Sequence, residues 1–397
     1  MINILFVDDE PNILEGLQRM LRSLRHEWEM SFAGSGAEGL ALLDEKTIDV
    51  VVSDMKMPGM DGSQFLNAVM EKYPHMVRII LSGYSEKDMI LKSVGIAHQY
   101  LSKPCDAEIL KATVLRVSSL RNLLTDENLR RLVSQLPNVP SLPLLYTELT
   151  DELAKDDPST KKVGDIVKKD IGMTVKILQI VNSAFFGLRR TISDSREAVE
   201  FLGLDTISSL TLGLGVISQF ETHLPKGLFA TIWNHSVAVG ALAAKIAGAE
   251  NREVVNDAFT AGLLHDIGRV VLAINLPKKF ESVQDIATRD NLSRVEAERR
   301  VFGATHSEVG GYLLGLWGLP TNVVQAVAFH DIPAESRSEG FNAITAVHAA
   351  NVIQGSIDRG EGQELGIEFD MEYLATLGLL DRIPVWQETC AAMNVAA

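Results

Sequence analysis

Cysteine is nearly missing from this sequence. Its 397 residues hold two, Cys105 and Cys390. They form no CxxC pattern and imply no disulfide framework, which points to a reducing, cytoplasmic setting. Basic charge is scarce as well: 37 Lys and Arg face 52 Asp and Glu, for a formal net charge of −15. Direct nucleic-acid binding leaves a basic footprint, so no direct DNA binding is expected. Long apolar runs are also lacking. No stretch reaches the ~18 residues that suggest a membrane span, and the best candidate, "AVGALAAKIAG", is broken by Lys245 and by glycines. The opening "MINILFVDDE" has no basic segment and turns acidic at Asp8, unlike a secretory signal. What is there is 46% hydrophobic and 22% charged, the make-up of a globular protein. The length suggests about two or three domains.

The first 120 residues alternate short β-rich runs with helix-like stretches. The runs are Ile2–Val7, Trp28–Phe32, Asp49–Ser53, Val77–Leu81 and His98–Leu101, and the stretches include Ile13–Leu24, Ala37–Leu43 and Ser63–Glu71. This alternation predicts an α/β domain, a doubly wound five-stranded parallel sheet covered on both faces. After Asp106, a plausible N-cap, apolar residues recur at Leu110, Val114, Val117, Leu120 and Leu124, then at Leu129, Leu132 and Val133. That spacing predicts a helix leading out of the domain, with residues 121–136 as a linker helix. The prolines of "LPNVPSLP" mark the next boundary. From Leu144 onward the pattern is almost wholly helical, so residues 137–355 are predicted to form an all-α domain. Residues 356–397 are a C-terminal extension, with a Gly- and Glu-rich loop at Asp358–Asp370.

Three carboxylates gather at the predicted strand ends: Asp8 and Asp9 after the first strand and Asp54 at the third. Strand C-termini of an open α/β sheet converge on one edge, where ligands bind. Acids crowded there repel one another, and Mg2+, which takes oxygen ligands, relieves this. Ser82 and Lys103 add a hydroxyl and an ammonium on the same edge. Together they make a site for a phosphoryl group on an aspartate. Singly, paired acids are often only solvated and a Lys-Pro pair only a turn. The ordered set "VDDE", "SDMKMPGMDG", "LSGYS" and "YLSKP" resembles the receiver domain of two-component response regulators. The resemblance implies a phosphoprotein: Asp54 accepts phosphate from a histidine kinase or phosphotransfer protein. It also implies Mg2+ on Asp9, Asp54 and the Lys56 backbone carbonyl, with Asp8 in support. Lys103 would pair with the phosphate, and Ser82 with Tyr100 would form the switch, the ring turning inward.

Histidine supplies the second constellation. His235, His265, His306, His330 and His348 lie in or beside predicted helices, and His265 is followed by Asp266 in "AGLLHDIGRVV". Imidazoles with a carboxylate can bind a transition metal, and helical bundles build such sites from facing side chains. Any one of these histidines alone is more often structural. The order His…His-Asp…His…His resembles the HD superfamily of metal-dependent phosphohydrolases. "DIVKKDIGMTVKILQIVNSAFFG", with Asn182–Ala184, and "HSEVGGYLLGLWGLP" resemble its HDOD branch, an all-helical output module regarded as regulatory and non-catalytic. The resemblance spans about Leu136–Gly355 and implies a ligand set of His235, His265, Asp266, His306, His330, Asp331 and Asn351. Asn351 stands where the superfamily places an aspartate, and its neutral amide offsets no metal charge. Arg269 stands where lysine is common. The Gly-Tyr-Pro signature of related phosphodiesterases is replaced by "HDIPAESRSEG".

Two functions follow as expectations. The first is a phosphorelay regulator whose helical module binds a downstream protein or ligand without catalysis. The second is a metal-dependent phosphohydrolase acting on a nucleotide or cyclic dinucleotide. Under either, phosphate on Asp54 is expected to act through the helix after Asp106, changing homodimerisation or releasing a surface of the helical module. The segment Phe185–Arg190 mixes apolar and basic residues, as a partner patch or a helix end folding into the core.

Overall fold

A computed structural model describes residues 1–83, 96–120, 123–136, 143–182, 188, 190–204, 207, 228–359 and 368–394. Five strands form the N-terminal sheet: β1 (Ile2–Val7), β2 (Trp28–Ala33), β3 (Val50–Asp54), β4 (Val77–Gly83) and β5 (Gln99–Lys103). All pairs are parallel, in the order β2-β1-β3-β4-β5. Side chains of a strand alternate between faces, and here both faces are buried. Leu5, Val7, Val51, Ile80 and Tyr100 pack on one side. Ile4, Phe6, Val52, Ile79 and Leu101 pack on the other. The strand order reverses between β1 and β3, and Asp8 and Asp54 stand at the C-terminal ends of these strands, where such a sheet opens a crevice.

The helices follow their caps. Ser35 caps Gly36–Glu45, and Asp61 with Gln64 forms a capping box on Gly62–Lys72. The stretch read as Ile13–Leu24 divides into a helix, Pro11–Met20, and a short turn, Arg22–Leu24. The predicted linker helix needs a larger correction. Helix Ala107–Ser119 ends, and a separate helix, Glu127–Ser134, begins where the Asp126 side chain accepts the Leu129 N–H at 2.8 Å.

That short helix is pinned from both sides. Arg78 of β4 is buried without a carboxylate partner among the described residues, and its guanidinium donates to the carbonyls of Ile96 and Ser134 at 2.7 Å. A cation at a helix C-terminus is favoured by the helix dipole. His98 donates through Nε2 to the same Ser134 carbonyl at 3.0 Å. From the helical domain, Tyr312 places its hydroxyl 3.4 Å from Ser134 Oγ.

The helical domain meets the sheet domain on the helix His306–Leu316. Gln99 of β5 donates to the Leu316 carbonyl at 2.5 Å. A Cβ on Gly315 would lie 2.4 Å from a methyl of Leu120, and one on Gly318 would lie 2.7 Å from the Gln99 amide. Two glycines therefore admit the two side chains that dock there. Overpacking such a contact costs about 1–3 kcal/mol. Gly315→Leu is expected to open the interface, so that protease cuts residues 120–143 about tenfold faster than in the wild type. An unchanged cleavage rate would show that the contact holds nothing closed.

The remaining differences lie toward the C-terminus. Helix Ala343–Arg359 runs past the predicted domain end at 355 and into the predicted loop. The C-terminal extension contains helix Ile383–Asn394, which packs on the helical domain. Trp386 and Cys390 are fully buried, and Trp386 Nε1 donates to Glu250 at 2.9 Å. Ser183, Ala184 and the segment 185–190, apart from Leu188 and Arg190, lie outside the described residues. So does most of the linker "LPNVPSLP". Among the described residues, no single helix is long and apolar enough to cross a membrane.

Candidate functional site

At the sheet edge Asp8 and Asp54 are buried and share one cation. Lys103 Nζ donates to Asp8 Oδ2 at 2.7 Å and also to Asp54 Oδ1. The Lys56 N–H donates to Asp54 Oδ2 at 2.8 Å, and the Glu10 N–H to Asp8 Oδ1 at 3.0 Å. Burial lifts the Asp54 carboxyl above its ordinary range against the pull of Lys103. Burial pulls the other way on Lys103, but Asp54 and Asp8 outweigh it and hold the ammonium above its usual range. Asp9 is half-buried and takes no part in this network. The oxygen-only donors suit a hard divalent cation. Ser82 is buried at the end of β4, and the Tyr100 ring is 1% exposed. The Tyr100 side chain lies inward, in the cluster packed on one face of the sheet.

The second site forms where helix Val255–Leu264 breaks and helix Ile267–Asn275 begins, with His265 and Asp266 at the break. A Cβ on Gly268 would lie 1.9 Å from the His306 carbonyl, so glycine is what lets helix His306–Leu316 approach. His265 Nδ1 donates to the Gly262 carbonyl at 2.7 Å, and His330 Nδ1 to the Val327 carbonyl at 2.8 Å. The Nε2 atoms of both rings are buried without a hydrogen-bond partner among the described residues. The rings lie 4.8 Å apart, centroid to centroid. His306 points Nδ1 at Glu298 Oε2, 2.7 Å away, and its Nε2 lies 3.3 Å from both Asp266 Oδ1 and Asp331 Oδ2. His235 completes the arc, with Nδ1 2.6 Å from Asp358 Oδ2 and Nε2 3.0 Å from Asn351 Oδ1.

The cluster therefore gathers every ligand-type residue predicted for it. His348 stands apart: its Nδ1 donates to the His330 carbonyl at 2.8 Å and its Nε2 accepts the Asp370 N–H at 3.0 Å, a structural role. Two residues were not foreseen. Glu298 and Asp358 orient His306 and His235. Asp358 lies seven residues after Asn351, on one helical face, and that spacing was a usable signal. Glu298 carried none, being a buried acid in a helix of charged residues.

The arrangement fits a metal ion by one test. His265 and His330 each fix the Nδ1–H tautomer on a carbonyl and leave an inward lone pair, as metal-bound imidazoles do. His235, His265 and Asp266 bring ligand atoms within 4.8 Å of one another, as do Asp266, His306 and His330. Protein cations also balance the acids. Arg269 donates to Asp266 Oδ2 at 2.5 Å. Burial opposes charge on His306, but Glu298, Asp331 and Asp266 outweigh it and hold the ring up to about 10. Burial drives His265 down to about 3, against the pull of Asp266.

These two rings set a pH optimum. The His265 contribution is complete above its ordinary value of 6.5 and is lost as pH falls through about 3. The His306 contribution is complete below 6.5 and is lost as pH rises through about 10. Stability is therefore expected to peak near pH 6.5 and fall on both sides. Thermal melting from pH 4 to 10 tests this. His306→Gln should remove the alkaline limb, and a profile flat from pH 6.5 to 10 in the wild type would contradict it.

Comparison with known proteins adds identity to this geometry. Residues 4–115 match the response regulator receiver domain, and residues 139–333 match the HDOD domain. An uncharacterized protein of Treponema pallidum is 25% identical over 271 residues, covering 66% of this chain and 52% of its own. The hydrogenase transcriptional regulatory protein HoxA of Cupriavidus necator is 33% identical over 153 residues, 38% of this chain and 30% of its own. The chain thus spans about half or less of these curated relatives. Among solved structures, the MmoQ response regulator of Methylococcus capsulatus is 20% identical with a TM-score of 0.48, covering 63% of this chain and 98% of that one. An HDOD domain protein of Geobacter sulfurreducens is 23% identical with a TM-score of 0.40, covering 71% and 94%. The chain joins a response regulator receiver domain to an HDOD domain.

Proposed function

We propose that this protein is a phosphorelay regulator in which a phosphoryl group on Asp54 loosens the receiver from the HDOD domain. The donor is a histidine kinase or phosphotransfer protein. An Asp54 carboxylate oxygen attacks phosphorus, the bond to the donor breaks, and an aspartyl phosphate remains. Mg2+ would be held by Asp9, Asp54 and the Lys56 carbonyl, with Asp8 in support, and it would neutralise the phosphoryl oxygens. Lys103, now shared by Asp8 and Asp54, pairs with the phosphate. Ser82 supplies the hydroxyl.

One observation carries the coupling. Gln99, bonded to the Leu316 carbonyl, immediately precedes Tyr100 on β5. A shift of β5 toward a phosphorylated Asp54 moves both residues, and phosphate acts only through such a difference between docked and undocked states. The released HDOD surface then binds a downstream protein. Incubation with acetyl phosphate and Mg2+ tests the first step: one acid-labile phosphate per chain is expected, and none would defeat the reading.

A second reading has its own support, the inward lone pairs of His265 and His330. Under it the HDOD domain is a metal-dependent phosphohydrolase, with an ion on His235, His265, Asp266, His306 and His330. A bound transition ion lowers the pKa of a water ligand. Asn351 and Arg269 weigh against it, the first for lacking charge and the second for already holding Asp266. Elemental analysis of protein purified without chelator decides: a stoichiometric transition metal, lost in Asp266→Ala, is the result this reading requires.

A further inference from the structure

Between the receiver and the HDOD domain lies a cleft of about 400 Å³, with walls from both. This volume is within the range of small-molecule sites. Arg116 and Leu120 at the end of the receiver's last helix and Leu123 of the linker line one side; Val324, Phe329 and Ile332 line the other. The cleft exists only while the domains are docked, and the docking is built in, since Gly315 and Gly318 admit Leu120 and Gln99.

The charges on its walls are unequal in their partners. Glu308 and Glu335 are held by Arg299, at 3.1 and 3.6 Å. Asp331 is held by Ser307 at 2.8 Å and by His306. Arg116 has no carboxylate partner among the described residues. Its Nη2 donates to Gln99 Oε1 at 2.8 Å, and its buried Nε has no hydrogen-bond partner among those residues. A half-buried guanidinium without an acid is costly, and it recognises anions through its planar fork.

We infer that this interdomain cleft binds a small organic anion, its charged head on Arg116 and its uncharged body against Leu120, Phe329 and Ile332. The ligand belongs to the docked state, so it holds the receiver against the HDOD domain. By linkage, anything that undocks the receiver weakens the ligand equally. The site is separate from the Asp54 chemistry and borders the histidine cluster at Asp331, which lines the cleft wall.

The test uses 1-anilinonaphthalene-8-sulfonate and its parent without the sulfonate, each titrated calorimetrically into the full chain. The wild type is expected to bind one sulfonate probe per chain, about tenfold more tightly than the neutral parent. Arg116→Gln should abolish that preference while leaving the neutral probe unchanged. Gln325→Trp, a change at an exposed position on the cleft wall, should block both probes. Absence of a saturable site, or an unchanged preference in Arg116→Gln, overturns the inference. Acetyl phosphate labelling of Asp54 is read separately, so loss of either result leaves the other standing.

Discussion

Asp54→Asn is expected to take no phosphate from acetyl phosphate, where the wild type takes one per chain. The reason is chemical before it is structural. An amide oxygen is a poor nucleophile and cannot form an acyl phosphate, whereas the carboxylate can. The substitution keeps the shape of the side chain, so Lys103 still finds Asp8 at 2.7 Å and the sheet edge stays packed. Asp8 and Asp9, which share the edge, are poor substitutes. Asp8 already spends both oxygens on Glu10 and Lys103, and Asp9 lies outside the Lys103 network. Phosphate that survives in Asp54→Asn at the wild-type level would place the acceptor elsewhere.

Asp266→Ala is expected to cost about 3–5 kcal/mol of stability, because it removes one partner of a buried charge cluster. Arg269, now 2.5 Å from Asp266, and His306, 3.3 Å away, would both lose an acceptor in a site closed to water. Glu298 Oε2 is already engaged by His306 and Asp331 Oδ2 by Ser307, which leaves Asp331 Oδ1 as the nearby acceptor without a hydrogen-bond partner among the described residues. Denaturant unfolding measures the change. A loss below about 1 kcal/mol would mean that the cluster is solvated or that Arg269 relaxes to another partner.

Much of this was legible in the sequence. The five strands announce themselves because strands of a doubly wound sheet are buried on both faces and read as unbroken apolar runs. The receiver residues and the histidine cluster were legible by type and order. Their partners were less so. Glu298 meets His306 from another helix, and Asp358 meets His235 across 123 positions. The break between Ser119 and Glu127 was hidden by an apolar stripe that continues through Leu120, Leu124 and Leu129, all buried in one cluster. Asp126, a strong N-cap, was the competing signal. The C-terminal helix was missed because burial of Trp386 and Cys390 is decided by tertiary packing. Tyr100 is buried on the packed face of the sheet.

The central claim is that phosphate on Asp54 loosens the contact between Gln99 of β5 and the end of helix His306–Leu316. Hydrogen–deuterium exchange of residues 96–120 and 312–320, with and without beryllofluoride and Mg2+, tests it most directly. The account predicts faster exchange in both segments of the wild type with beryllofluoride, and no change in Asp54→Asn. Identical exchange in the wild type with and without beryllofluoride, once its binding is verified, would contradict it.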